Sequence, residues 1–389
     1  MDRKRLLNID RLMNSQVEQK RIAGASVMVY KDGTLCYDDQ FGWADIENRV
    51  RISRDTIFRL YSCTKPITAT ALMILFERGE LELEYPVHRF LPSFKDMTVV
   101  SEDGKITKCN TDMTIRDLLN MTSGLVYPGG WFEAGRHMEP VFDEITSKLG
   151  TDEELTTQQV AEKISEAPLM FEPGKMWNYG TSADVLGAVI EKIAGMKLSE
   201  FMKKEIFDPL LMEDTGFYVP KDKLNRFSKL YMQTDDGLKL FEKNYLGITD
   251  YKKPPRFESG GAGLVSTTLD YMRFLRMLLN MGTVNGVKIL SENTVRFMTQ
   301  NHLTGEQFYS MQYGSTKGCG YGNLMRVVTN TAQATTNGDV GEYGWDGWTG
   351  TYFTVNPKSN LIILYFIQKC GTGMDDITKR LRQIVYGAV

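Results

Sequence analysis

The sequence predicts an α/β (α+β) fold: one antiparallel sheet flanked by helices, with a mainly helical lobe carried between its two halves. Three observations predict it. A helix and a hairpin open the chain, a hairpin and a helix close it, and helical periodicity dominates the stretch between them. Residues 1–60 and 256–389 are expected to build the α/β lobe and residues 61–255 a mainly helical lobe.

Taken in order, Leu6, Ile9, Leu12, Met13 and Val17 recur at the spacing of an amphipathic helix. Gly24–Tyr30, the turn Lys31-Asp32-Gly33 and Thr34–Asp38 then read as a β-hairpin. An apolar helix runs from Ile67 towards Gly79, after which Leu81 to Pro92 is short and proline-punctuated. Thr114 caps a helical segment to Met121 that ends at Thr122-Ser123-Gly124-Leu125. A glycine- and aromatic-rich loop, Tyr127-Pro128-Gly129-Gly130-Trp131-Phe132, follows. Helical patterns resume over Thr157–Ala167, Ala183–Ala194 and Phe201–Pro209. In the last third, Gly260–Ser266 reads as a strand leading into a helix over Asp270–Gly282, and Ser291 caps another. Thr351–Val355, a Pro357-Lys358-Ser359-Asn360 turn and Leu361–Ile367 form the closing hairpin, and a helix over Met374–Val385 ends the chain.

At 389 residues and 42% hydrophobic the chain can bury a substantial core. Its net charge of −3 comes from acids and bases mixed along the whole length, which speaks against a nucleic-acid surface or a polybasic membrane anchor. A small-molecule partner is expected. The five cysteines (Cys36, Cys63, Cys109, Cys319, Cys370) are scattered, with no Cys-x-x-Cys pair, and read as free thiols. Cys63 adjoins Ser62 and is expected to be open to thiol reagents. The first residues carry bases but no apolar leader, and no run of 18 apolar residues occurs, so a cytoplasmic protein without a membrane span is expected.

Catalytic chemistry is suggested first by Tyr61-Ser62-Cys63-Thr64-Lys65-Pro66, where a serine and a lysine three apart share one face of a helix. A serine beside a lysine is a nucleophile beside a base, provided burial brings the ammonium pKa from about 10.4 towards 7. Ser-x-x-Lys alone reads first as a helix N-cap with a solvated lysine. Pro66 adds a constraint by disfavouring helical geometry at Lys65.

A histidine base is a poor alternative. His88, His137 and His302 are the only histidines, none lies in a Gly-x-Ser-x-Gly elbow, and their scatter does not suit a metal. A tyrosine can relay the proton instead, as a phenolate or paired with the lysine. Phe171–Gly187 delivers Tyr179 from a Pro-Gly turn just before a helix, although a core aromatic would look the same. Gly344-Trp345-Asp346-Gly347-Trp348-Thr349-Gly350 leads into a strand whose N–H groups could serve as oxyanion donors, or it is a glycine-rich turn with aromatic packing.

In this order and at these separations the three stretches resemble the serine β-lactamase and penicillin-binding-protein superfamily, and within it the class C β-lactamase-like hydrolases, especially family VIII carboxylesterases. The resemblance covers nearly the whole chain. It implies Ser62 as nucleophile, Lys65 and Tyr179 as the proton relay, the backbone N–H groups of Ser62 and Trp348 as oxyanion hole, and no metal or cofactor. Trp345-Asp346-Gly347 falls on the family's Lys-Thr-Gly element and Thr181 on the asparagine of its Tyr-x-Asn element. Losing that lysine disfavours carboxylate-bearing β-lactams and D-Ala-D-Ala peptides, and the Trp-x-Gly form is similar to that of the esterases. Tyr127, Trp131, Phe132, Trp345 and Trp348 are then expected walls of an apolar cleft. A small neutral ester is the expected substrate. A β-lactamase or D-stereospecific peptidase, an acyltransferase and a catalytically silent binding protein are the rivals.

Overall fold

The computed structural model describes residues 1–389. An eight-stranded antiparallel sheet joins the two ends of the chain. Its strand order is Cys319–Gly322, Met325–Val328, Tyr343–Asp346, Tyr352–Asn356, Leu361–Ile367, Gly24–Lys31, Thr34–Asp45, Val50–Arg51. Ala25 faces Ile367 and Tyr30 faces Ile362, so the first hairpin pairs with the last one. That is the shared sheet the sequence predicts.

Eleven α-helices accompany it: α1 (Arg3–Glu18), α2 (Lys65–Glu77), α3 (Ile115–Asn120), α4 (Glu133–Ser147), α5 (Thr157–Ile164), α6 (Ser182–Ala194), α7 (Leu198–Met202), α8 (Thr268–Leu279), α9 (Glu292–Met298), α10 (Gly305–Ser310) and α11 (Asp376–Tyr386). Side chains alternate across the central strand, and the alternation divides the core. Val27 and Val29 pack with Leu6, Ile9, Leu381 and Val385 of α1 and α11. Met28 and Tyr30 point the other way, into the larger core that contains α2, α6 and α8. The apolar stripes of α1 and α11 are therefore satisfied on one face of the sheet and the inserted helices on the other.

Local signals explain most boundaries. Thr114 and Thr156 each close a capping box, with Asp117 and Gln159 respectively, and Ser291 caps α9 through the Thr294 N–H. Two expectations are corrected. Gly260–Leu264 is irregular, and only Val265–Ser266 pairs, with Phe58–Arg59, because the preceding backbone turns aside to bond Lys65, Thr68 and Asp184. Three sheet strands within 319–346 and helix α4 are additions. The hairpin at 322–325 turns on Asn323 and Leu324, both at positive φ (+49° and +63°), and Leu324 is fully buried. Core burial there outweighs the local aversion of leucine to the left-handed region. No helix is long and apolar enough to cross a membrane.

Candidate active site

The sheet and the helical region meet at Tyr61–Thr64, a 3₁₀ turn that runs directly into α2. Ser62 sits in this turn, one residue after Tyr61, which is held at φ +44°. A bulky residue in the left-handed region persists only where its surroundings over-determine it. They do so here. The Leu60 carbonyl accepts from Thr351 Oγ1 at 2.8 Å, the Arg59 carbonyl from Thr349 Oγ1 at 2.9 Å, and the Cys63 carbonyl from the Tyr271 hydroxyl at 2.7 Å. The Tyr61 ring lies 5.1 Å from that of Trp348. The nucleophile turn is thus bolted to the end of the sheet.

Lys65 is fully buried at the first position of α2. Its Nζ lies 3.2 Å from Ser62 Oγ, 3.0 Å from the Tyr127 hydroxyl and 2.9 Å from the Gly261 carbonyl. Burial brings its pKa down to about 7, against the pull of Asp184 and, more weakly, of Cys63 and Asp346. A neutral amine has two N–H groups and one lone pair. Gly261 offers only an acceptor, so if Tyr127 also accepts, the lone pair is left for the Ser62 hydroxyl. Asp184 arranges this from behind: it accepts from Ser259 Oγ at 2.5 Å and from the Gly261 N–H at 3.1 Å, fixing the loop whose carbonyl holds Lys65.

Tyr179 is placed differently from expectation. Its hydroxyl faces Ser62 and receives the Trp345 indole N–H at 3.1 Å, while Lys65 Nζ stands over its ring, 4.7 Å from the centroid. The tyrosine hydroxyl that pairs with the lysine is that of Tyr127. Burial pushes the Tyr179 phenol far above its ordinary value, which removes the phenolate option near neutral pH. Trp345 donates to its oxygen, so the hydroxyl hydrogen of Tyr179 is free to point into the cleft.

Ser62 and Trp348 both present backbone N–H groups that meet no protein acceptor. Trp348 is held by rings on three sides: Tyr61, Phe241 at 5.6 Å and Tyr245 stacked at 4.5 Å. The cleft of about 570 Å³ beside Arg59 and Phe227 does not touch Ser62.

The remaining expected residues sort as follows. Trp345 is buried and spends its N–H on Tyr179, so it acts on the relay and is not simply an apolar wall. Asp346 points to the opposite face of the strand, where Arg326 lies 3.4 Å away and the Met374 N–H bonds to it; its side chain does not line the Trp345 face, though its charge is still felt at Lys65 and Tyr179. Gly347 is needed for close approach, since a Cβ there would stand 2.4 Å from the Leu60 carbonyl and 2.2 Å from Thr351 Oγ1. Thr181 is fully buried with its hydroxyl unpartnered. Trp131 is 92% exposed and Phe132 47%, and neither ring packs against the aromatic cluster. Cys63 is corrected too: it is fully buried, its Sγ contacts the Thr351 carbonyl at 3.6 Å, and burial pushes its thiol up to about 12. Sequence reasoning missed Asp184 and Tyr245. A lone carboxylate inside the apolar run Ala183–Gly187 is the signal that could have found the former.

Comparison with known proteins gives the family. Residues 9–387 match the model of the beta-lactamase family. Protein Rv1367c of Mycobacterium tuberculosis is 33% identical over 90% of this chain and 86% of its own length. Esterase EstB of Burkholderia gladioli is 29% identical over 97% and 94%. Among solved structures, EstCE1, a hydrolase with promiscuous acyltransferase activity, superposes with a TM-score of 0.84 at 25% identity over 99% of both chains. Simvastatin synthase from Aspergillus terreus shares the fold, with a TM-score of 0.82 at 23% identity over 99% of this chain and 97% of its own. With its family model matched almost from end to end, this chain belongs to the beta-lactamase family and is a serine hydrolase.

Proposed function

We propose that the protein is a carboxylesterase that cleaves small neutral esters through an acyl-enzyme on Ser62, in a cleft between the α/β lobe (1–60 and 256–389) and the helical lobe (61–255). The observation that carries the reading is the buried Lys65, 3.2 Å from Ser62 Oγ with a pKa near 7. Ser62 Oγ attacks the carbonyl carbon and its proton moves to Lys65 Nζ. The carbonyl oxygen gathers charge between the free N–H groups of Ser62 and Trp348. The proton then passes from Lys65 Nζ to the departing alkoxide as the C–O bond breaks, with the Tyr179 hydroxyl beside Ser62 donating a hydrogen bond to that oxygen, and water cleaves the acyl-enzyme by the same steps in reverse. No metal or cofactor enters these steps.

Preference for neutral esters rests on charge. Lys65 is the cation hydrogen-bonded to Ser62 Oγ, and Arg326 lies behind the strand, committed to Asp346 and the Tyr352 hydroxyl. The esterase name of a 29%-identical relative supports the same substrate class. Acyl transfer to an alcohol is a second reading, favoured by the promiscuous acyltransferase activity of the structural neighbour EstCE1. Five unbridged thiols suit a reducing, cytoplasmic compartment. Neither nucleic acid nor membrane is a partner in this reading.

The test is a panel of p-nitrophenyl esters and nitrocefin, with and without added alcohol, on wild type and Ser62→Ala. Turnover of short esters and fluorophosphonate labelling, both lost in Ser62→Ala, are expected. A label on another serine would sink the proposal.

A further inference from the structure

Away from Ser62, the first hairpin and α8 border a half-open cavity of about 240 Å³. Its apolar lining is Met28, Tyr30, Leu35, Leu269 and Met272; its charged lining is three arginines, Arg54, Arg273 and Arg276, with no carboxylate among the lining residues. Two of the arginines are balanced from outside the cavity. Arg54 Nε holds Asp38 at 2.6 Å and Arg273 Nη1 holds Asp270 at 2.9 Å, and their side chains remain 54% and 42% exposed.

Arg276 differs from both. Its side chain makes no hydrogen bond or ion pair within the protein, its Nε is buried without an acceptor, and its guanidinium lies 5.1 Å from the centre of the Tyr30 ring. A buried polar nitrogen is ordinarily hydrogen-bonded, so the Nε is an exception, and the two terminal nitrogens, which reach solvent and bond no protein acceptor, are free to receive an anion in the cavity. Arg273 and Arg276 are three apart on α8 and face the same way, which gives an incoming anion a second cation within one helical turn.

We propose that this cavity is a binding site for a small amphiphilic carboxylate, the headgroup forked on Arg276 and the tail lying over Met28, Leu35, Leu269 and Met272. A planar fork of donors suits a carboxylate, and the aliphatic floor suits a hydrocarbon tail. At the roughly 30 Å³ that a water molecule occupies in the liquid, the cavity holds about eight non-hydrogen atoms, the size of hexanoate. The site is independent of the ester-cleaving reading, because none of its residues touches Ser62, Lys65 or Tyr179.

Isothermal titration calorimetry at constant ionic strength tests it, with sodium hexanoate, 1-hexanol and inorganic phosphate as separate ligands for wild type, Arg276→Met and Arg276→Lys. Ester turnover and far-UV circular dichroism are checked on each variant, and both are expected to stay at wild-type levels. Hexanoate is expected to bind wild type saturably and Arg276→Met about tenfold or more weakly, with Arg276→Lys between them because it keeps the charge and loses the fork. Hexanol and phosphate are each expected to bind wild type at least about tenfold more weakly than hexanoate. Equal hexanoate binding by wild type and a folded Arg276→Met overturns the site. Hexanol as tight as hexanoate removes the role of charge, phosphate as tight removes the role of the tail, and either result overturns the proposal as well.

Discussion

Replacing Lys65 by Met separates stability from activity. The folded protein holds this lysine near pKa 7, against an ordinary value of 10.5. At about 1.36 kcal/mol per unit, the charged form is disfavoured by about 4–5 kcal/mol relative to the unfolded chain. The depressed pKa fixes the sign. Between about pH 7 and pH 10.5 the unfolded chain binds the extra proton, so wild-type stability rises with pH across that window. The full penalty is present below about pH 7. Lys65→Met carries no such penalty, but it leaves the Gly261 carbonyl and the Tyr127 hydroxyl without their donor, at a pH-independent cost of about 1–3 kcal/mol. At pH 7 the variant is therefore expected to be the more stable protein by about 1–3 kcal/mol, and inactive. By pH 9.5 that difference should have moved by about 3 kcal/mol in favour of wild type. Urea unfolding of both proteins at the two pH values measures it, and other titrating groups cancel in the comparison. A difference flat to within about 1 kcal/mol would show that Lys65 is not neutral in the folded state. The same pKa should appear as a rising limb of kcat/KM centred near pH 7.

Three further outcomes follow from the packing around it. Tyr179→Phe should lower kcat about 10²-fold or more, while Tyr127→Phe, which removes one acceptor from Lys65, should cost about fivefold; steady-state kinetics on one short ester decides the order. Gly347→Ala should destabilise the fold and abolish turnover together, because the new Cβ meets the Leu60 carbonyl at 2.4 Å; a well-folded active variant in thermal melts would contradict that contact. Cys63 should resist iodoacetamide in the native protein and react only on unfolding, read by intact mass.

Residues whose role depends on local spacing were legible in the sequence; those whose role depends on long-range docking were not. Ser62 and Lys65 are three apart, so chain geometry displays them together, whereas Tyr179, which meets Ser62 across more than a hundred residues, could be picked out only through the resemblance to a known family. The pairing of Lys65 with Tyr127 spans 62 residues and depends on how the loop after α3 crosses α2. Asp184 was hidden for the same reason, since its partners Ser259 and Gly261 lie some 75 residues further on. The three strands missed between 319 and 346 are four residues each, and the first two are joined by a turn on a leucine in a conformation that leucine rarely adopts. The orientation of Asp346 was recoverable: adjacent residues of a strand face opposite ways, so if Trp345 looks into the cleft, Asp346 looks out of it.

That alternation sharpens what Trp345→Lys should do. A carboxylate entering the cleft finds an indole where relatives with Lys-Thr-Gly present an ammonium, and Asp346, on the opposite face of the strand, has its charge offset by Arg326 3.4 Å away. The discrimination therefore comes from a missing charge-assisted hydrogen bond alone, about 1.5–3 kcal/mol, or roughly 10- to 150-fold in kcat/KM. A lysine at 345 would restore that bond, yet it would also take away the indole N–H that fixes the Tyr179 oxygen at 3.1 Å. The two effects fall on different constants. Loss of the Tyr179 contact acts on the relay and should lower kcat for a neutral ester and for nitrocefin alike. The new ammonium meets the carboxylate already in the ground state and should lower KM for nitrocefin only. Measured together, the variant is expected to be a slower enzyme whose preference for p-nitrophenyl acetate over nitrocefin has narrowed by about tenfold or more through KM. A preference that narrows through kcat instead, with KM unchanged, would mean that the carboxylate is received elsewhere in the cleft and that Trp345 acts on the proton relay alone.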